Sequence, residues 1–322
     1  MTGMTSNKLQ LARTLFRLKI YSSEGFEFER LFGQILEQTR PGFQKIKPYG
    51  NQGDRGNDGY ERADGRYFQV FAPANPAQSV YNAVKKAEED FQSKLLPYWG
   101  GFCSPKEYFF VFNDKYKGSF FEVEKTLSEL KSTHSLNECQ VYLSKNLEQE
   151  FMILPEDLMA MIIGGIPEPE SMSQLDYSVL GEVISHILDN HPADAATSKL
   201  INPDFDEKIK FNDLIHNGIW LTCKQREVWQ VDEYLYRNSE FAKETIRDNL
   251  AGYYKESLTA ITDSTDEMSA GDLRFAYILD RIAPKDIDPI KDRLRKDAAL
   301  VLMSKYFETC DIFEEPRNAA TS

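Results

Sequence analysis

The periodicity of this chain changes once, near residue 165, and that change limits the folds open to it. Before it, segments of helical and strand spacing alternate. FEFERLFGQILEQT (26–39) places apolar residues at 28, 32, 35 and 36, a helical stripe that Pro41 and Gly42 terminate. FQKIKPY (43–49) alternates apolar and polar residues as a half-buried strand does. GDRGNDGYERADGRYFQVFAP (53–73) reads as two strands and a tight turn, with Asp64-Gly65 as the hairpin signal. Residues 78–95 return to helical spacing. EYFFVFN (107–113) is an aromatic run of buried-strand length, followed by a helix over 119–133, a strand over 139–145 and a helix over 155–163. Strands interleaved with helices call for an α/β domain with a mixed sheet.

GGIPEPESM (164–172) has the Gly, Pro and acid content of a linker. Beyond it strand signals nearly vanish. Amphipathic helical patterns cover 177–190, 222–238, 239–258, 269–282 and 289–308, with Ser239 as a candidate N-cap. The expected organisation is an α/β domain over 1–165 and an all-α domain over 166–322. A length of 322 residues agrees with two cores rather than one.

Charge divides the chain in the same way. The whole carries a net charge of −13; residues 1–165 contribute −1 of it and the remainder −12. The helical half would repel nucleic acid and suits partner binding, while the first half tolerates a polyanion without attracting one strongly. No apolar run approaches the roughly 18 residues of a membrane span, and the N-terminus lacks the pattern of a secretory signal, so a cytoplasmic location and no membrane contact are expected. The four cysteines (Cys103, Cys139, Cys223, Cys310) are scattered and form no CxxC, which points to reduced thiols. His186 and His191, five residues apart, are better explained as structural residues than as a metal pair.

Several chemistries are missing. There is no GxxxxGK[ST], GxSxG, HExxH or GxGxxG, so the chain carries no P-loop, hydrolase elbow, zincin helix or dinucleotide loop. What remains is a set of oxygen ligands. Glu29 lies beside the apolar face of the first helix, Asp58 follows the Gly-rich turn, and Gln69 stands eleven residues later on the second arm of the hairpin. A helix acid, a hairpin acid and a strand amide, with the Val70 carbonyl, can converge on Mg²⁺ or Mn²⁺, hard cations that prefer oxygen. Such an ion polarises a phosphodiester and acidifies bound water. Taken singly, Glu29 is also explained as a helix N-terminal acid, Asp58 as a turn residue and Gln69 as a buried amide.

The helix–strand–hairpin order of residues 24–113 resembles the PD-(D/E)xK restriction-endonuclease-like superfamily, in particular its Mrr-like branch with a QxK motif. The resemblance implies a metal-dependent DNA endonuclease in which Glu29, Asp58 and Gln69 are catalytic and metal-binding. Phe71 stands where the motif has lysine. The superfamily sometimes moves that lysine, and Lys47, Lys85, Lys86, Lys115 and Lys117 are the candidates, with Arg55 as a phosphate clamp. The whole chain, through GDRGNDGY, FVFNDKYKG, PDFDEKIKFN and YFETCDIFEEP, is similar to effectors of the ABC three-component, or Lamassu-type, anti-phage systems. That resemblance implies an SMC-like ABC ATPase and a small middle component as partners, and a homo-oligomer when active. A module that keeps the fold and binds nucleic acid or partners without cleavage is the alternative.

Overall fold

The structure is a computed structural model that describes residues 4–50, 53–167, 175–192, 205–238, 242–262, 264, 269–309 and 312–316. The chain divides into two compact units, Lys19–Pro155 and Met1–Leu18 with Glu156–Ser322. The two-part class expected from the sequence is present: a mixed sheet with helices, then a helical region.

Lys19–Pro155 is built on a five-stranded sheet of order β1-β2-β3-β4-β5, comprising β1 (Phe43–Lys45), β2 (Gly59–Glu61), β3 (Arg66–Phe71), β4 (Glu107–Phe112) and β5 (Glu138–Leu143). The first three strands form an antiparallel meander, and β3, β4 and β5 run parallel. Parallel neighbours need crossovers, which helices α3 (Val80–Glu89) and α5 (Phe121–His134) supply. Both helices pack on the sheet face that carries Tyr67, Tyr108, Phe110 and Phe112. The opposite face meets α2 (Gly25–Thr39), which packs with β1 and β3 and with α6 (Ser144–Met152). There the Phe32 ring lies 5.9 Å from Phe43, 5.6 Å from Phe68 and 5.9 Å from Tyr142. Being covered on both faces explains why β4 is apolar from Tyr108 to Phe112 rather than alternating.

Three local differences from the sequence pattern have visible causes. β1 stops at Lys45, where the Ile46 N–H turns to the Asp58 carbonyl and Pro48 follows. The pattern over 78–95 resolves into a 3₁₀ turn (Ala77–Ser79), α3, a wider π turn (Asp90–Leu95) and α4 (Leu96–Trp99). The pattern over 222–238 resolves into α10 (Gly218–Lys224) and α11 (Val228–Asn238), because Lys224 turns inward to Glu227 at 3.0 Å across a 3₁₀ turn.

The other unit contains helix α1 (Ser6–Ser22) up to Leu18, which the sequence pattern did not disclose, then α7 (Glu156–Ile163), α8 (Tyr177–Asp189), α9 (Phe205–Phe211), α10, α11, α12 (Ala242–Ala260), α13 (Ala270–Ile282) and α14 (Pro289–Glu308). α14 packs against α8, α10, α11 and α13, so it is buried almost all round from Lys296 to Met303. The division falls at 155/156, whereas the expected one was 165/166. Residues 156–165 are held within the helical unit: the Gly165 N–H donates to Asp292 Oδ2 at 2.8 Å and Lys296 Nζ to the Ile163 carbonyl at 3.0 Å. In the same unit Lys8 Nζ meets Glu156 Oε1 at 2.5 Å.

Among the described residues no helix is long and apolar enough to cross a membrane, and Cys103, Cys139 and Cys223 are unbridged thiols. Ser239, Cys310 and part of the 164–172 linker lie outside the described residues. His186 Nε2 lies 3.1 Å from the Arg281 carbonyl, and His191 Nδ1 3.4 Å from Asn249 Oδ1. These contacts tie both rings to neighbouring helices.

Phe32→Ala should destabilise the sheet unit by about 3–5 kcal/mol, since it empties the centre of a four-ring cluster. Denaturant unfolding followed by near-UV signals checks it; a loss near zero would mean that α2 does not anchor the sheet.

Candidate functional site

The hairpin register builds the site. β2 pairs with β3 as far as Gly59↔Phe68, so the next step brings Asp58 opposite Gln69. There Asp58 Oδ2 accepts two hydrogen bonds, from Gln69 Nε2 at 2.7 Å and from the Val70 N–H at 2.6 Å. Asp58 is only 4% exposed. A carboxylate oxygen already receiving an N–H can only accept, so the Gln69 amide must turn its nitrogen inward. Its Oε1 is left buried without a partner, and so is Glu29 Oε1 on α2. Buried oxygens are seldom left unpaired.

The loop between β1 and β2 brings in an acid that the sequence reading missed. Asp54 takes the Gly56 N–H on Oδ1 at 2.7 Å. Gly56 has φ +78°, and a side chain there would fall on the Asp90 carbonyl and the Lys94 stem. The loop is thereby pressed onto the π turn, a feature often found at functional sites. Asp90 is itself compensated, by Lys86 at 2.6 Å and Lys94 at 2.5 Å.

Electrostatics tie these groups together. Burial pushes the Asp58 carboxyl well above the usual range; the Asp54 carboxylate adds to this, the Val70 N–H opposes it, and Glu29 raises it further. Glu29 is also pushed up, first by burial, with Lys45 and Lys86 pulling down and Asp54 pushing up. Three acids close enough to raise one another, with an unpaired buried oxygen on Glu29 and another on the Gln69 amide, would suit a hard divalent cation, whose charge would remove the cost of keeping the acids ionised. Among the described residues no three His, Cys, Asp or Glu side chains form a metal-binding group by themselves.

The structure therefore brings together Glu29, Asp58 and Gln69, and adds Asp54. It distributes the candidate lysines differently. Phe71 is packed against Phe110 and Phe112, at 6.0 and 6.1 Å between ring centres. Lys47 is exposed beyond the end of β1, and exposed Lys85 pairs with Glu89 at 3.7 Å. Lys115 donates to the Ala74 carbonyl at 2.9 Å and pairs with Glu24. Neither these three nor Lys117 is among the main charges acting on Glu29 or Asp58. The charges that act on Glu29 are Lys86, one of the expected candidates, and Lys45, which was not. Lys45 pairs with Gly59, beside Asp58, and its stem crosses Gly33 so closely that a Cβ there would sit 2.8 Å from Lys45 Cδ. Gly33 lies one turn after Glu29 on α2.

Arg55, in the left-handed region at φ 59°, lies with its guanidinium 4.2 Å from the centre of the Tyr98 ring. The helical unit holds a concavity of about 580 Å³, lined by His186, His191, Tyr253, Glu256, Arg281 and Lys285 among others. It lacks the unpaired buried oxygens that single out the Asp58 site among these two.

Residues 178–314 match the family model of C-terminal domain 10 of the ABC-three component (ABC-3C) systems. The matched stretch lies within the helical half of the chain. No curated protein and no solved structure gives a significant match.

A carboxyl raised on folding holds its proton more tightly in the native state. Its stabilising contribution is complete below the unfolded value, near 4, and is lost as pH rises through the raised native one. In metal-free protein, Asp58→Asn keeps an acceptor for Gln69 and Val70 and removes the charge. The variant should thus melt a few degrees above wild type at pH 7, and the gap should close toward pH 4. Mg²⁺ or Mn²⁺ should raise the melting temperature of wild type but not of the variant. Scanning calorimetry across pH checks this, and parallel pH profiles would contradict it.

Proposed function

We propose that the Lys19–Pro155 unit is a divalent-metal-dependent DNA endonuclease. We propose further that the chain is the effector of an anti-phage ABC-three component system whose other subunits restrain it. The observation that carries the reading is the pair of buried, unpartnered oxygens, Glu29 Oε1 and Gln69 Oε1, beside the desolvated Asp58 carboxylate.

Glu29, Asp58 and the Gln69 amide oxygen would hold Mg²⁺ or Mn²⁺, with Asp54 as a further acid at the same place. When bound, the ion supplies polarisation of the phosphodiester and a more acidic water. The chain's own part is positioning. The two N–H donors on Asp58 fix the direction of its carboxylate. Lys45 and Lys86 provide fixed positive charge where the phosphate becomes more negative, the type of preorganised stabilisation that costs no rearrangement during reaction.

The acidic helical half, with its family match at 178–314, supports a role in binding partner proteins rather than DNA. An SMC-like ABC ATPase and a small middle component are the proposed partners, and release from them would let the nuclease units pair as homo-oligomers to cut both strands. One observation favours a second reading, a binding module without cleavage: Phe71 is locked among aromatic rings, so β3 offers no lysine beside Gln69.

Plasmid cleavage by the full chain with Mg²⁺ or Mn²⁺ tests the proposal. Asp58→Ala and Glu29→Ala should abolish nicking. Lys45→Ala should lose on the order of 10²–10³-fold, the usual cost of one electrostatic donor. Equal rates in all of them would end the assignment; no metal-dependent cleavage by any form, wild type included, would favour the binding module.

A further inference from the structure

We infer that the candidate site takes nucleic acid with unpaired bases, the rings around it serving as stacking faces. The inference rests on the phosphodiester reading of that site and names its substrate class.

Three of the segments that contribute to the site carry a large ring in water, and a fourth ring, Tyr98, lies against the loop of Asp54 and Asp58. Phe26 is 67% exposed and stands three residues before Glu29 on α2, on the same helix face. Tyr49 is 82% exposed at the start of the loop that leads to Asp54, and its N–H donates to the Gly53 carbonyl at 3.1 Å, which fixes that turn. Tyr81 is 76% exposed on α3, five residues before Lys86. Tyr98 is 55% exposed and lies beneath Arg55, on the same loop as Asp54 and Asp58. The core of this unit is complete without these four rings.

Two of the rings have a cation over them, and the other two have a lysine close by in sequence. Lys45 Nζ lies 6.0 Å from the Phe26 ring centre, and the Arg55 guanidinium 4.2 Å from that of Tyr98. Lys47 is two residues from Tyr49, and Lys85 follows Tyr81 at the i+4 position of α3. Rings alternating with cations match a strand that presents bases and phosphates in alternation, because base–aromatic stacking needs a free base face and the cation meets the phosphate. A duplex conceals those faces within its own stack and shows backbone and groove edges. It would use the cations and leave four exposed rings without a role.

Binding is measured with the full-length chain in EDTA, by fluorescence anisotropy on a labelled single-stranded DNA oligonucleotide and on the duplex of the same sequence at one salt concentration. The single strand should bind at least about tenfold more tightly. Tyr49→Ala, Tyr81→Ala and Tyr98→Ala should each weaken it roughly 5–100-fold, the range of one lost base stack. Tyr98→Trp should restore it, and duplex binding should stay within about twofold, since only backbone contacts would remain. Equal affinity for both forms, or single-strand binding that ignores the alanine substitutions, overturns the inference. So does a result in which these variants bind the oligonucleotide normally but no longer retain partner subunits, which would make the rings a protein contact. Because EDTA stops metal-dependent hydrolysis, the two proposals fail separately. Ring-dependent single-strand binding without any cleavage leaves this inference standing and ends the nuclease reading. Cleavage confined to duplex does the opposite.

Discussion

Asp58 Oδ2 accepts both the Gln69 amide and the Val70 N–H, and the geometry of the sheet unit's site follows from that one oxygen. The Asp58 N–H meanwhile donates to the Phe68 carbonyl, so the residue is held on both its backbone and its side chain. A slip of one residue in this hairpin would send Gln69 to the other face of the sheet and replace it with an apolar side chain. Register and site are therefore one constraint. The same oxygen fixes the Gln69 amide, directs its Oε1 away from Asp58, and draws the carboxylate into a place where ionisation is costly.

A second layer of support comes from the π turn. Its extra residue per turn places Asp90 beneath Gly56, and Lys86 and Lys94 close on Asp90 from the preceding and following turns. The acid that positions the loop is thus neutralised locally. A buried Asp90 left unpaired would have added to the repulsion that already raises Asp58 and Glu29.

Much of this was legible in the sequence. The change from alternating elements to helices marked the two halves, and Glu29, Asp58 and Gln69 were identifiable by order and residue type. The misses have physical reasons. Asp54 and Asp58 both sit in a Gly-rich turn composition, where an acid reads equally as a turn former. Lys45 and Lys47 both occupy polar positions of FQKIKPY, and alternation cannot separate residues two apart on a strand. Register separates them: Lys45 pairs with Gly59 next to Asp58, while the chain has left the sheet by Lys47. Lys85 and Lys86 are neighbours on a helix and differ by about 100° in direction, so one salts a surface pair with Glu89 and the other turns to Asp90 and Glu29.

The absent strand lysine is explained by the same packing. Phe71 shares the Gln69 face of β3 and sits opposite Phe112 in the parallel pair β3–β4, with Phe110 beside it. An ammonium group there would be buried among rings with no carboxylate in register, at a desolvation cost that a single residue rarely recovers. Lys45 approaches from β1 instead, with its methylenes lying over Gly33 and its amine near Glu29. This moves positive charge from the Gln69 side of the site to the helix side. Counted together, four carboxylates (Glu29, Asp54, Asp58, Asp90) face three ammonium groups (Lys45, Lys86, Lys94). With all four ionised the site would be one charge negative. One divalent cation would reverse that sign and add a phosphate contact to whatever the surrounding rings and cations hold without it, in a unit whose overall charge is otherwise close to balanced.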